Sequence, residues 1–565
     1  MVGVPQTIMQ DTKQQPIVDA KKNNFLAIKS CCTPIFLPAY FVFLLFSLAS
    51  CGEAITKKEL KSPSELYGDL FETVQLSNIF PDSKTFADAI PKYEIAAILK
   101  KYDEEKTKPN FDLKKFVDVY FYIPQAKKNN YKVNPNESVE QHINNLWAVL
   151  KREPKDDGGS LIPLRKPYIV AAGRMNEITY WDSYFTMLGL QVAQKDTMIE
   201  NMVLDFAQLI QDFGHIPSGN RSYYMSRSQP PFFSLMVELL AETKKDNDVL
   251  GKYLPQLQKE YQYWMASETS EDAQTMLDKQ KNREKAYRKT VFIEADHLFN
   301  RYYDDADSPR PEAYKEDVLL AKKSKRNLKS MYRHLRSGAE SGWDFSSRWL
   351  KDGQNLESIH TTDIAPVDLN ALMYHLEMTL ARAFDVKKQF DYVQTMRDLA
   401  NKRKGIYDKY FWNEEAGFYF DYDFVERKQK NVYSLAACYP LFFKMATPEQ
   451  AQKVAKVLET QFLQVGGLSA TLVKSGQKWD APNGFAPLQW IAIQGLRNYG
   501  LTDLANKIKK NWVENNLRVY KNTGKLLEKY NVYDLSLPNG GGEYPAQDGF
   551  GYTNGVLLKL LSEKE

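Results

Sequence analysis

The chain of 565 residues is poor in the groups that usually carry metal or redox chemistry: six histidines and four cysteines, with neither an HExxH nor a paired CxxC spacing. A structural or catalytic zinc site is therefore not expected. No GxxxxGK[ST] loop and no Rossmann glycine fingerprint occurs, so nucleotide cradling is excluded as well. Charge of one sign is also lacking. Against 75 basic residues stand 71 acidic ones, a formal charge of +4, and the short basic clusters Lys322 to Arg326 and Lys402 to Lys404 read as solvated helix faces rather than a nucleic-acid stripe. Strand signals are few and short. What remains for chemistry is carboxylate and arginine, and no cofactor is expected.

What is abundant is apolar and aromatic: 43% hydrophobic residues, with 34 Tyr, 30 Phe and 9 Trp. That composition belongs to a folded chain with a large core, and the length exceeds what one ordinary core holds. Two domains or one large repetitive architecture are the choices.

One apolar run stands apart, Pro34 to Ser50, preceded by Lys21, Lys22 and Lys29 and followed by Cys51. Basic, apolar and small residues in that order make a secretory signal, and Leu48-Ala49-Ser50-Cys51 resembles the bacterial lipobox, which implies a lipid on Cys51. The alternative is an uncleaved anchor, against which stand the short run and its two prolines. The expected division is 1–50 signal peptide, 51–61 linker and 62–565 globular domain, lipid-anchored in the periplasm or at the outer membrane. Only Cys438 then remains in the globular part, so no intrachain disulfide forms there.

Helix-like pieces fill the segment to about Pro124, at Glu65 to Val74 and Ile90 to Tyr102, while 111–123 reads as strand or helix. From Asp182 onward, apolar residues recur at three and four spacing, as in Leu369, Leu372, Met373, Leu376 and Leu380. The pattern predicts helices over Asp182 to Phe213, Pro231 to Thr243, Val249 to Met265, Val367 to Phe384, Gln389 to Phe411, Pro448 to Phe462, Leu488 to Tyr499, Asp503 to Asn516 and Asn554 to Leu561. Ser270 to Lys281 reads as a polar surface insertion. No repeat of fixed length marks a solenoid. The fold class is all-α: a ring of helix pairs, an α/α toroid with an N-terminal helical extension, its active centre built from loops at one end.

Those loops share one chemical style. Ala171 to Phe185 gathers Arg174, Glu177, Trp181 and Asp182, the last a possible helix cap. Pro217 to Phe233 holds Arg221, Arg227, Ser228 and Gln229; Ser308 to Glu312 places Arg310 and Glu312 beside prolines. In Glu340 to Trp349, Asp344 lies between Trp343 and Phe345, neighbours that disfavour its ionised form and suit a proton donor, although a helix cap is the alternative. Ser475 to Trp490 combines Trp479, Asp480, Gly484 and Phe485. Finally, Gly524 to Val556 puts Glu528, Asp534, Glu543 and Asp548 among glycines and the aromatics Tyr544, Phe550 and Tyr552. Alone it could be a glycine-rich surface turn. With the other loops it points to a carbohydrate pocket, where aromatic faces meet sugar rings and carboxylates take hydroxyls. Glycoside hydrolysis needs two such acids, one protonated and one ionised.

From about Ser62 to the C-terminus the chain resembles the trehalases of the glycoside hydrolases. Gly173, Arg174, Glu177, Trp181, Asp182 and Tyr184 match the signature PGGRFxExYxWDxY; Trp479, Asp480, Pro482, Gly484 and Pro487 match QWDxPxGWxP, with Lys478 and Phe485 as departures. ESGWDFSSRW and GGGEYPxQDGFG are matched closely. Asn531 and Tyr552 replace the Asp of EKYD and the Trp of GFGWTN, and Ser218 stands where PNGNR has its first Asn. The resemblance implies an (α/α)6 barrel that hydrolyses α,α-trehalose to two glucoses with inversion. It implies Asp344 as general acid, Glu528 as general base and Glu543 as a substrate contact. Sugar contacts are likewise implied at Arg174, Trp181, Asp182, Ser218, Arg227, Ser228, Gln229, Arg310, Pro311, Glu312 and Gly342. The expected partner is a small disaccharide, the expected state a monomer. The alternatives are a toroid glucosidase for another α-glucoside and a glycan-binding lipoprotein without turnover.

Overall fold

The structure, a computed structural model, describes residues 60–124, 137–173, 175–267, 269–294, 297–540 and 549–563. Arg174, Glu543, Tyr544, Asp548 and Cys51, all read as functional, lie outside the described residues, as does the apolar run 34–50. Cys51–Glu565 forms one compact unit.

The extension begins at Ser62, whose hydroxyl and the Glu65 side chain form a capping box at the start of Pro63–Tyr67. The pattern predicts one helix over Glu65 to Val74, but Gly68, at φ 49°, breaks it, and Asp69–Leu76 follows. Ile90–Pro91 pairs with Phe121–Tyr122, so the next helix starts at Ile95 rather than Ile90. The ambiguous 111–123 segment is a helix, Leu113–Tyr120, running into that strand. Tyr67, Phe71, Phe86, Tyr102, Phe116 and Phe121 make a small aromatic core that also takes in Tyr223 of the main body.

The main body is helical, as the apolar periodicity predicts. In chain order its principal helices are α1 (Tyr180–Val192), α2 (Asp196–Phe213), α3 (Phe233–Lys244), α4 (Leu254–Trp264), α5 (Leu328–Glu340) and α6 (Val367–Val386). There follow α7 (Phe390–Phe411), α8 (Tyr439–Phe442), α9 (Ala486–Arg497), α10 (Thr502–Thr523) and α11 (Gly551–Ser562). The single pattern over Asp182 to Phe213 is two helices, separated by a turn at Gln194, where φ is 53°. Packing runs from α1 to α3, α6, α8, α9 and α11 and back to α1, closing an inner ring. Around it, α2 lies on α1 and α3, α4 and α7 on α6, and α10 on α9 and α11.

Glycines allow the closure. A Cβ on Gly555 would stand 2.0 Å from the Phe185 carbonyl oxygen, and one on Gly189 would stand 2.6 Å from the Gly555 Cα, so α1 and α11 meet backbone to backbone. Leu369, Leu372, Met373, Leu376 and Leu380 are all fully buried along α6. The segment read as a surface insertion is a helix, Ser270–Lys281, with only Ala273 and Met276 buried. An antiparallel sheet of Ala286–Tyr287, Thr290–Glu294 and His297–Asn300 follows, which the periodicity did not reveal.

Candidate active site

The acid loop leaves α5 through Ser341 and turns at Gly342, at φ 76°. Trp343 and Phe345 are buried to either side, while the Asp344 side chain keeps a third of its surface exposed. Asp344 caps no helix: Ser346 caps the turn Ser347–Trp349 by accepting from the Arg348 amide. Arg348, fully buried, pairs with Asp368 at 3.0 Å and Asp421 at 2.8 Å and lies over the rings of Trp343 and Trp349, which makes the loop rigid.

Asp480 joins this loop to the next. Its carboxylate accepts from the Ser346, Ser347 and Thr471 hydroxyls and from the Ser347 amide. The Trp479 amide donates to the Phe345 carbonyl at 2.9 Å, and the Trp479 ring stacks on Trp343 and on Phe485. Asp480, read as one of the pocket acids, is thus the tie between two loops. Glu177 and Arg221 are likewise structural, a buried pair at 2.9 Å that also holds Lys84.

Glu528 arrives from the other direction. The segment after α10 is fastened where Asn483–Gly484 pairs with Tyr530–Asn531 and where the Val532 amide donates to the Pro482 carbonyl at 3.0 Å. From α11, Thr553 donates to the Leu527 carbonyl and Tyr552 to the Glu528 carbonyl. Glu528 is buried, and the Lys478 ammonium lies 3.1 Å from its Oε1 and 3.7 Å from Asp344 Oδ1. Two carboxyls nearly two hundred positions apart therefore share one cation.

Both face a cavity of about 550 Å³, a size that suits a small ligand. Among the residues read as sugar contacts, Trp181, Asp182, Ser218, Arg227, Gln229, Arg310, Glu312 and Gly342 line it. Ser228 and Pro311 do not: the Ser228 hydroxyl donates to the Ile216 carbonyl, and the Pro311 carbonyl accepts from Gln75. Sequence reasoning missed Tyr224, which lies under the Arg227 guanidinium, and the stretch Pro81 to Lys84 of the extension, which forms part of the wall. The aromatic density of the Pro217 to Phe233 loop was the signal for the first; nothing local marked the second.

Each polar group on the wall is held. The Gln229 side-chain oxygen accepts from the Trp181 amide at 3.1 Å, and the Ser218 hydroxyl donates to the Ser228 carbonyl. Arg227 pairs with Glu312 at 2.5 Å, and Arg310 with Asp317 at 2.7 Å. Burial pushes the Glu312 carboxyl up, but the guanidiniums of Arg227 and Arg310 outweigh it and leave the group below its ordinary range, hence ionised. Asp182 is different. Burial raises it to about 7, a bond with Thr179 opposes that, and the nearby Glu528 adds to the rise. Among the described residues Arg227 Nε and Nη1 and Glu312 Oε2 make no hydrogen bond and are shielded from solvent, with Nη1 3.7 Å from Asp304. The site as a whole offers a donor or acceptor of protons on two carboxyls, aromatic faces and polar groups of both kinds.

The sequence model of the Trehalase family matches residues 78–565. The chain is 46% identical over 522 residues to the periplasmic trehalase of Salmonella agona, covering 92% of this chain and 90% of that protein. It is 46% identical over 523 residues to the periplasmic trehalase of Escherichia coli O45:K1, with the same coverage. Among solved structures the neutral trehalase of Saccharomyces cerevisiae is similar with a TM-score of 0.56 and 27% identity, over 70% of this chain and 73% of that one.

Proposed function

The chain belongs to the trehalase family, and we propose that it cleaves α,α-trehalose at the cavity between Asp344 and Glu528 by an inverting acid–base mechanism. It is a glycoside hydrolase, and its products are two glucoses. Asp344 protonates the bridging oxygen as the C1–O bond breaks. Glu528 takes a proton from a water that attacks the opposite face of the ring, whose C1 develops oxocarbenium character. Trp181 covers an apolar ring face, while Asp182, Arg227, Gln229, Arg310 and Glu312 hold hydroxyls, as do Arg174 and Glu543.

One observation carries this reading: the two carboxyls meet the same ammonium. Laid end to end, the 3.1 and 3.7 Å legs through Lys478 Nζ set a ceiling of about 7 Å between Glu528 Oε1 and Asp344 Oδ1, close enough for the two carboxyls to flank one glycosidic bond; the stereochemistry of the products decides between the roughly 6.5–9.5 Å of an inverting pair and the roughly 5–5.5 Å of a retaining one. The deciding experiment is NMR of the first anomers formed from trehalose. Inversion gives equal α- and β-glucose, whereas α-glucose alone overturns it, and faster glucose release from maltose, kojibiose or sucrose overturns the substrate.

The protein works in the periplasm, as its relatives' names say of them, held there by a lipid on Cys51. Metabolic labelling with a palmitate analogue checks the anchor: label on the wild type and none on Cys51→Ser is the expected result.

A further inference from the structure

Lys478 has no counterpart in the neutral Gln of the signature QWDxPxGWxP, and it is buried, at 4% exposure, where a charge is expensive unless compensated. Its backbone is anchored. The Asn483 side-chain amide donates to the Lys478 carbonyl at 3.0 Å, and Asn483 is the residue that pairs with Asn531 in the strand beyond Glu528. The ammonium is thus held relative to the base by the same two-strand ladder that fastens the base.

We propose that Lys478 is a positioning residue for the reaction: its ammonium keeps the Glu528 carboxylate ionised and aimed at the water it deprotonates. The proposal rests on the reading of Glu528 as the base. Among the described residues three carboxyl groups face this cation: Glu528 at 3.1 Å, Asp344 at 3.7 Å, and Asp182 from α1, which feels the charges of all three of the others. On the remaining wall Arg227, Glu312 and Arg310 are engaged with one another and with Asp317 and Asp304. The ammonium is nearer the base and donates to it, so it supports the ionised base more than it opposes the protonated acid.

The sign follows from the charge. Replacing the ammonium by a neutral amide makes both carboxyls easier to protonate, the base more so. In the pH profile of kcat/KM on trehalose, Lys478→Gln therefore moves the acid limb to higher pH by about one unit, moves the alkaline limb the same way by less, and lowers kcat more than it raises KM. Lys478→Arg keeps the charge and leaves the acid limb in place. A merely structural lysine would leave both limbs unmoved. Gln is the residue of the family signature at this position, so the variant is compatible with the fold. The second measurement needs no turnover: carbon-13 NMR titration of the labelled Glu528 carboxyl, assigned with Glu528→Gln, in wild type and Lys478→Gln. Glu528 titrating at higher pH in the variant supports the proposal. An unchanged titration point overturns it, even where the wild type cleaves trehalose. Failure of the wild type to cleave trehalose, by contrast, overturns the reading of the site and leaves the titration to judge the lysine.

Discussion

Gly342 lies against the indole of Trp181 so closely that a Cβ there would stand 2.8 Å from two of its ring atoms. The glycine also holds φ at 76°, a conformation that side chains resist. Between them these two facts set the floor of the cavity: the acid loop can turn toward the pocket only because nothing projects from its first bend. We expect Gly342→Ala to destabilise the fold by about 1–3 kcal/mol and to lower kcat/KM by displacing Trp181 or Asp344. Thermal unfolding and steady-state kinetics on trehalose check this together. An alanine variant with wild-type values in both would show that the loop has room to relax.

The two carboxyls do different work, and their isosteric amides separate it from structure. Asp344→Asn removes the proton to be donated, and Glu528→Gln removes the acceptor while its side-chain oxygen still takes the bond from Lys478. Each is expected to lower kcat by about 10²–10⁴ with circular dichroism and melting temperature close to wild type. Activity within a few-fold of wild type in either variant would dismiss that residue from its role.

How much of this was legible in the sequence depends on the range of the interactions. The apolar spacing of Leu369 to Leu380 is a local signal, and α6 follows it. Asp344 stood out because Trp343 and Phe345 flank it, and Glu528 through the motif around it. What one sequence could not show is which loop acids face the cavity. Asp480 sits in the same kind of Trp-flanked segment as Asp344, yet five donor groups, on Ser346, Ser347, Thr471 and Ser475, consume its oxygens. Ser228, between two lining residues, turns away to the Ile216 carbonyl. Pro81 to Lys84 joins the wall because Gln75 bonds to Pro311 and Ser83 to Glu316, contacts spanning 236 and 233 positions. No local pattern encodes such contacts.

Arg227 pairs with Glu312 at 2.5 Å while its guanidinium lies over the Tyr224 ring at 5.0 Å. A planar fork serves both contacts at once, whereas the compact ammonium of lysine serves one. Arg227→Lys should therefore reduce kcat/KM by roughly 10- to 100-fold, the equivalent of one lost charge-assisted bond, mainly through KM if the group holds a hydroxyl alike in ground and transition states. A fall confined to kcat would mean that Arg227 engages only the transition state.

Asp182 gives the site a stability signature of its own. Buried on α1, its carboxyl titrates at about 7 in the folded protein, against roughly 3.9 in an unfolded chain. Between those values the folded state holds a proton that the unfolded state has released, so this group's contribution to stability falls as pH rises and reaches its full penalty above pH 7. Asp182→Asn cannot ionise and escapes the penalty. Below about pH 4 both proteins keep this position neutral and should melt alike apart from a constant offset. Above pH 7 the variant should gain, relative to that offset, on the order of a few kcal/mol, or roughly 2–4 °C in a protein of this size, even as it loses a sugar contact and hence activity. Melting curves from pH 4 to 8 measure the difference. A gap that stays constant across the range would mean that Asp182 is ionised throughout, and that its negative charge, rather than its proton, is what the sugar meets.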